Sequence, residues 1–310
     1  MSLTSSSSPT PAKIVPSFLE GLNEEQRSAV STDANPLLII AGAGTGKTLV
    51  MVRRMAQLLQ SSKISPDQVL ALTFSRKAAD QMRERSAELL GSAAEEMTIS
   101  TFHAFCREIL QDHGWEIGIP RDGLLLDRVD QWLQLRRLLG QMKLRFYDRQ
   151  AQSAECVSGF LRFIGRAKDE LVTPKDFKKF AAGVSEKSEQ GKWKDVGEVY
   201  EKYQKHLQQS EALDFGDLVS QAVRLLEQRP AILSAIQKRF KAILVDEFQD
   251  TNAAQIVLLK LLAATDQKLC VVGDDDQAIY RFRGASYASF VLFQEFFPKA
   301  KRIYMCFMFE

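Results

Sequence analysis

The sequence predicts an α/β protein: a parallel sheet whose strands alternate with helices, interrupted by an all-helical insertion. Three observations carry this expectation. Five short β-branched, apolar runs read as buried parallel strands: PLLIIA (36–41), QVLALTF (68–74), MTIST (97–101), KAILVDE (241–247) and KLCVVGD (268–274). Helical patterns follow most of them. Between residues 111 and 211 the strand signal disappears, and VDQWLQLRRLLGQMKLRF and WKDVGEVYEKYQKHLQQ are amphipathic and charged. In such an order the ligands should gather at the carboxyl ends of the strands.

Taken in chain order, MSLTSSSSPTPA is Ser/Pro-rich and lacks the basic start and apolar core of a secretory signal. No arginine precedes Arg27, so residues 1–16 read as a disordered tail rather than a transit peptide. The clearest helix runs from Ser75 to Leu90, with Ala78, Ala79, Met82 and Leu89 on one stripe and Gly91 as its stop. GVSEKSEQGKWK (183–194) is polar and Gly-containing and reads as a mobile loop. The longest apolar runs fall well short of about 18–20 residues, so no membrane-spanning helix is expected.

Composition bounds the function. Hydrophobic residues make up 45% and charged residues 26% of 310, a soluble globular composition. The net charge of +2 confines any nucleic-acid surface to a local patch. Cys106, Cys156, Cys270 and Cys306 lie far apart without a C-x-x-C pair, so no structural metal is indicated. Cys270, in an apolar run, reads as a buried thiol, and a reducing intracellular compartment is expected.

AGAGTGKT (41–48) follows the first strand and precedes a helical run. Its spacing fits a phosphate-binding loop, with Ala41 where the commonest pattern has Gly. Small residues Gly42, Ala43, Gly44, Thr45 and Gly46 let backbone N–H groups turn toward phosphate oxygens, and the next helix adds its positive end. Lys47 would reach the β- and γ-phosphates, and the Thr48 hydroxyl would ligate Mg²⁺. The second half of such a site is an acid at the end of another strand, and AILVDEFQD supplies it. Asp246 would hold Mg²⁺ through water, and Glu247 would orient or deprotonate the attacking water. The bland alternative, a strand ending in a solvated Asp-Glu pair, fits poorly beside a phosphate loop. Gln26 lies some twenty residues upstream, and its amide is able to read an adenine edge; the alternative is an ordinary surface helix residue.

VVGDDDQAIYRFRGA (271–285) joins three aspartates to aromatics interleaved with arginines. With LNEEQRSAV, AGAGTGKT, ALTFSRKAADQM, TISTFHAFC, DFGDL and ILVDEFQDTN, in that order, it resembles the front half of a UvrD/Rep/PcrA-type DNA helicase, over roughly residues 18–110 and 212–298. The resemblance implies a P-loop NTPase (RecA-like) lobe formed by 17–110 and 212–304, a helical subdomain at 111–211, and a divergent end at 305–310. It implies ATP and Mg²⁺ as cofactors, and single-stranded DNA with a duplex junction as partner. It gives Gln277 a γ-phosphate-sensing role and brings Tyr280, Phe282 and Arg283 toward the strand, Arg283 also counting with the nucleotide set. Phe282 stands where relatives often have Trp; base stacking on an aromatic contributes about 1–3 kcal/mol and tolerates any sequence. Thr73, Phe74, Ser75, Thr101, Phe102 and His103 would contact DNA, although His103 reads equally as a structural histidine. Asp214 and Asp217 read as helix caps. Arg136/Arg137 and Lys178/Lys179 read as duplex contacts or as solvated helix faces.

The family's Asn-Tyr-Arg-Ser block and second ATPase lobe do not occur in these residues. The expectation is therefore a truncated helicase product that binds Mg-ATP weakly and hydrolyses it slowly or not at all. Its apolar IYMCFMF end has no apparent partner and is aggregation-prone if exposed. The leading function is a 3′-to-5′ DNA helicase, direction implied by the resemblance. A helicase-nuclease is disfavoured because Asp276 precedes Gln277 where those relatives often have Lys. A non-catalytic ATP- and DNA-binding form competing with a full-length helicase is the third reading. The pathway (repair, recombination or replication restart) stays open, and the Ser-rich start points to a eukaryote and hence the nucleus.

Overall fold

The computed structural model describes residues 17–61, 64–147, 151–264, 267–276 and 287–305. The first segment of the chain forms α1 (Glu24–Ser31), β1 (Leu37–Ala41), α2 (Lys47–Ser61), β2 (Val69–Thr73), α3 (Arg76–Leu90), α4 (Ala93–Glu96), β3 (Thr98–Thr101) and α5 (Phe102–His113). The helical stretch follows, with β4 (Leu124–Leu125), α6 (Arg128–Leu139), α7 (Ala154–Asp169), α8 (Pro174–Gly183), α9 (Lys187–Gln209) and β5 (Ala212–Leu213). The chain then forms α10 (Phe215–Gln228), α11 (Pro230–Arg239), β6 (Ala242–Val245), α12 (Ala253–Leu262), β7 (Lys268–Gly273), α13 (Tyr287–Phe296) and β8 (Lys301–Met305).

Among the described residues, one six-stranded sheet runs β3-β2-β6-β7-β1-β8 with every pair parallel. The five apolar runs supply five of its strands. Strand alternation sorts their side chains onto two faces. Leu38, Ile40, Leu70, Leu72, Ile243, Val245, Leu269 and Val271 share one core with α5, α10, α12 and α13. Leu37, Ile39, Val69, Ala71, Ala242, Leu244, Cys270 and Val272 share the other with α1 and α2. Each fully buried Leu, Ile or Val contributes roughly 1.5–3 kcal/mol, which explains why neither face tolerates a polar alternation. Cys270 is the buried thiol expected.

The sixth strand corrects the reading of the C-terminal end as unpartnered. β8 pairs along β1, from Leu37↔Lys301 to Ala41↔Met305. KRIYM alternates, so Ile303 and Met305 turn into the core while Tyr304 stays 54% exposed. An edge strand with one wet face carries too short an alternation to stand out from sequence. Residues 306–310 lie outside the described residues.

Ser75 caps α3 by accepting from the Ala78 N–H at 3.1 Å, and Gly91 ends it with φ 59°. Ala79 and Met82 are buried on the expected stripe, and Ala78 and Leu89 are half-buried. The second correction concerns 183–194. Only Val184–Glu186 connect α8 to α9, and the rest is helix. The Gln190 amide donates to the Ala182 and Val184 carbonyls at 3.0 and 3.1 Å, replacing the helix-end partners that a loop would have given to water. Trp193 packs against Phe163 and Phe177. The polar residues there open a helix rather than form a loop.

Helices α6–α9 enclose their own core, including Leu135, Leu139, Val157, Phe160, Ile164, Val199, Tyr203 and Leu207. The chain enters and leaves this body side by side, through the pairs Leu124↔Ala212 and Leu125↔Leu213. Lys168, at the end of α7, is buried against the start of α10: its Nζ lies 2.7 Å from Asp214 Oδ2 and 2.9 Å from Asp217 Oδ1. Asp214 and Asp217 are the reciprocal caps of α10, as their spacing suggested.

Candidate nucleotide and strand site

The phosphate loop occupies the gap between β1 and α2. Gly44 and Gly46 have φ of 78° and 85°, a region that side chains with a Cβ rarely adopt. A Cβ on Gly46 would also sit 2.9 Å from Gln26 Nε2. Ala41 costs the loop nothing, because it is the last residue of β1 and its methyl is buried in the core. No acidic residue occupies the first turn of α2, which leaves its positive end available to an anion. Gln26 has a local task. Its oxygen accepts from Asn23 N–H at 3.1 Å, closing the cap of α1, and its Nε2 donates to the Thr45 carbonyl at 2.9 Å. As placed, the amide holds the loop.

Strand order decides what faces this loop. β7 lies between β1 and β6, so its terminal Asp274 stands between the phosphate loop and the acid pair. Lys47 Nζ pairs with Asp274 Oδ2 at 3.2 Å, with both side chains nearly buried. The lysine thus already holds an anionic oxygen. Thr48 Oγ1 lies 3.5 Å from Asp246 Oδ2, a long contact between the two groups assigned to the metal. Asp246 is 3% exposed. Burial first, and the neighbouring Glu247 charge second, push its carboxyl up to about 6, against the smaller opposing effects of Glu247 N–H, Lys47 and Thr48. A hydroxyl beside a buried carboxylate fits a hard cation such as Mg²⁺, whose ligands are oxygens. The adjoining acid cluster, Asp274–Asp276, has one buried member, and that one pairs with Lys47.

Glu247 departs from ordinary backbone geometry, with φ 52° and ψ 44° in the left-handed region. Gln249, which the sequence reading passed over, links it to Asp274, the first of the three aspartates noted there. Gln249 Nε2 donates to Glu247 Oε2 at 2.5 Å, and Gln249 Oε1 accepts from Asp274 N–H at 2.9 Å. Their signals were present, as a Gln two positions after the acid pair and the first Asp after an apolar strand. Neither announces that the sheet will join them.

The ends of β2 and β3 adjoin, with Thr73 opposite Thr101. Of the six residues expected to contact DNA there, Phe74, at 39%, and Ser75 are exposed. Ser75 caps α3, and Thr101 caps α5 by accepting from Ala104 N–H at 3.2 Å. Thr73 is fully buried and its hydroxyl donates to the Ser75 carbonyl at 3.0 Å. Phe102 is corrected: at 1% exposed it is a core residue, since the first turn of α5 points it beneath the sheet. His103 is half-buried, meets the Phe215 ring edge-on at 6.1 Å, and has its pKa lowered by burial. Gln277, Tyr280, Phe282 and Arg283 lie outside the described residues. In the helical body, Arg136 stacks over Trp132 at 5.2 Å and Lys178 pairs with Glu201, so both basic clusters include a side chain with a local partner.

Comparison with known proteins gives the following. The family described as UvrD/REP helicase N-terminal domain matches residues 22–298. The chain is similar to the ATP-dependent DNA helicase PcrA of Bacillus subtilis, 41% identical over 286 residues, covering 92% of this chain and 37% of that protein. It is 40% identical to PcrA of Staphylococcus aureus over 291 residues, covering 93% of this chain and 38% of the relative. PcrA of Staphylococcus epidermidis gives the same identity and coverage. The chain thus spans less than two-fifths of the length of these relatives. All three are bacterial, which argues against the expected nucleus. Among the described residues, no helix is long and apolar enough to cross a membrane.

Proposed function

The chain belongs to the UvrD/REP helicase N-terminal domain family, and from that premise we propose that it is the nucleotide-binding lobe of an ATP-dependent DNA helicase, taking Mg-ATP at the phosphate loop and single-stranded DNA across the neighbouring strand ends. One observation carries the reading. Lys47 and Thr48, at the start of one helix, meet carboxylates from the ends of two other strands, Asp274 at 3.2 Å and Asp246 at 3.5 Å.

In this reading Lys47 exchanges Asp274 for oxygens of the β- and γ-phosphates, while the loop N–H groups and the positive end of α2 hold the remaining charge. Thr48 and Asp246 would hold a magnesium ion, which would supply neutralisation of charge on the phosphates. Glu247 orients the attacking water and accepts its proton. Gln277 and Arg283 belong to the same site. Phe74, Ser75, Thr101 and His103, with Tyr280 and Phe282, belong to the strand-binding side. Strand separation with 3′-to-5′ polarity is proposed for the protein in which this lobe closes on a second one.

Titration with a fluorescent ATP analogue tests the reading. The chain should bind it in magnesium, and Lys47→Ala should weaken binding by about tenfold or more, the scale of losing one charge-assisted contact. Thr48→Ala should remove the magnesium dependence while leaving the weaker metal-free binding in place. Equal binding by wild type and Lys47→Ala would contradict the proposal.

A further inference from the structure

We propose that Gln249 is the positioning residue of the acid pair: its side-chain amide aims the Glu247 carboxylate and ties it to the backbone of Asp274 at the end of the neighbouring strand. The inference rests on the nucleotide-site reading above and deepens it by assigning the device that sets the base.

The geometry is specific to an amide. Gln249 is 4% exposed, in the single turn that follows Glu247. Its Nε2 donates to Glu247 Oε2 and its Oε1 accepts from Asp274 N–H. Only Asn and Gln offer a donor and an acceptor on one uncharged planar group, and Asn is a methylene shorter. Gly273 makes the approach possible. A Cβ there would lie 3.0 Å from Gln249 Oε1 and 3.1 Å from its backbone nitrogen, tighter than ordinary packing, so the neighbours would have to give by a few tenths of an ångström.

What the amide holds is a residue in an unfavourable conformation. The left-handed backbone of Glu247 is disfavoured for any residue with a Cβ, and such conformations persist only where surrounding contacts over-determine them. Glu247 N–H donates to Asp246 Oδ1 at 2.9 Å, the Glu247 carbonyl accepts from Asp250 N–H at 2.9 Å, and Gln249 fixes the side chain. Asp274 in turn holds Lys47. Glu247, Gln249, Asp274 and Lys47 therefore form one continuous line across the ends of β6, β7 and β1. A residue that merely joined two strand ends would have no need to spend its donor on the base.

The two roles separate by ligand. Glu247 would touch the attacking water, not a bound nucleoside diphosphate. Misaiming it should therefore leave Mg-ADP affinity alone and weaken the complex of Mg-ADP with aluminium fluoride, which mimics the transferring phosphoryl group and its in-line oxygens. The experiment compares the full chain with Gln249→Met, which keeps the volume without polar atoms, and Gln249→Glu, which keeps the acceptor but turns an anion toward Glu247. Wild type should prefer the aluminium fluoride complex. Both variants should bind Mg-ADP within about twofold of wild type and lose about tenfold or more of that preference, the scale expected when a reacting group is misplaced. Gln249→Glu should lose more. Without nucleotide, exchange of the Asp274 amide hydrogen should quicken about fivefold in Gln249→Met, as befits one lost hydrogen bond, and stay slow in Gln249→Glu. Unchanged exchange across β1, β6 and β7 reports that each variant is folded, and either variant alone suffices to decide. Retained preference in the variants, or an equal fall for both ligands, overturns the positioning role. A wild-type chain that binds Mg-ADP but shows no preference also overturns it while leaving the nucleotide site standing, whereas one that binds neither ligand overturns the proposed function itself.

Discussion

At the scale of single residues, the joint between the helical body and the sheet is made of charges held out of water. Burial opposes the charge on Lys168, but Asp217 and Asp214 more than offset it and hold its pKa above the ordinary lysine range. The second acid is satisfied by the caps of α10, where Asp214 and Asp217 each accept the other's N–H at 2.9 and 3.1 Å, and by Gln204 at 3.0 Å. Lys168→Met strips the cation and strands two buried carboxylates; it should cost about 3–5 kcal/mol in urea denaturation. Its neighbour Asp169 behaves oppositely. Burial first, then Glu170, pushes its carboxyl up to about 6, although Asn252 Nδ2 donates to it at 2.7 Å. A carboxyl raised above its unfolded value is a folded-state advantage only while protonated. That advantage is complete below about pH 4 and is lost as pH rises through about 6. Asp169→Asn keeps an acceptor for Asn252 without the charge. It should therefore raise stability by roughly 1–2 kcal/mol at pH 8, after allowing for partial solvent screening, and by nothing at pH 4. A gain that is equal at both values would contradict this account.

At the scale of elements, β8 offers a direct test of packing. Ile303→Ala should lower stability by about 2 kcal/mol, because the side chain leaves a hole against β1. Tyr304→Ala, on the wet face, should change it by less than about 0.5 kcal/mol. Equal effects would mean that the strand is not docked. The same element shows what was legible in the sequence. Four strands, β1, β2, β6 and β7, announce themselves because each is buried on both faces and carries an apolar run, while the edge strand β3 is legible from its β-branched residues ahead of a helix. β8, buried on one face, does not. Helix α3 is legible from Ser75 and Gly91, local signals that act within a turn. The start of α9 is not, because its polar residues look like a loop until Gln190 is seen to cap the preceding helix. The site divides in the same way. Lys47, Thr48, Asp246 and Glu247 follow from loop and strand-end patterns that are contiguous in sequence. Asp274 as the partner of Lys47, and Gln249 as the link to Glu247, depend on β7 falling between β1 and β6, which no local pattern specifies. Phe102 misled for a related reason: its place beside strand-end residues says nothing about which way the first turn of α5 points it.

At the scale of the whole molecule, the helical stretch has a core of its own and joins the sheet through α7, which packs against α10 and α12. The paired strands β4 and β5 carry the chain across, and Lys168 and Asp169 fasten α7 to α10 and to the cap of α12. α12 begins six residues after Glu247, so the helical body is anchored close to the acid pair. The sheet order then gathers the phosphate loop, Asp274 and Asp246–Glu247 at one end, where β2 and β3 also finish. Nucleotide chemistry and strand contact would share an edge of one rigid sheet. The central claim is that a nucleotide with its divalent cation occupies the space bounded by Lys47, Thr48 and Asp246. A crystal of the chain grown with manganese and a non-hydrolysable ATP analogue tests it most directly, through the anomalous signal of the metal. The account predicts manganese within bonding distance of Thr48 Oγ1 and adjacent to Asp246, with Lys47 moved from Asp274 onto a phosphate oxygen. Metal and nucleotide found elsewhere, with the Lys47–Asp274 pair intact, would contradict it.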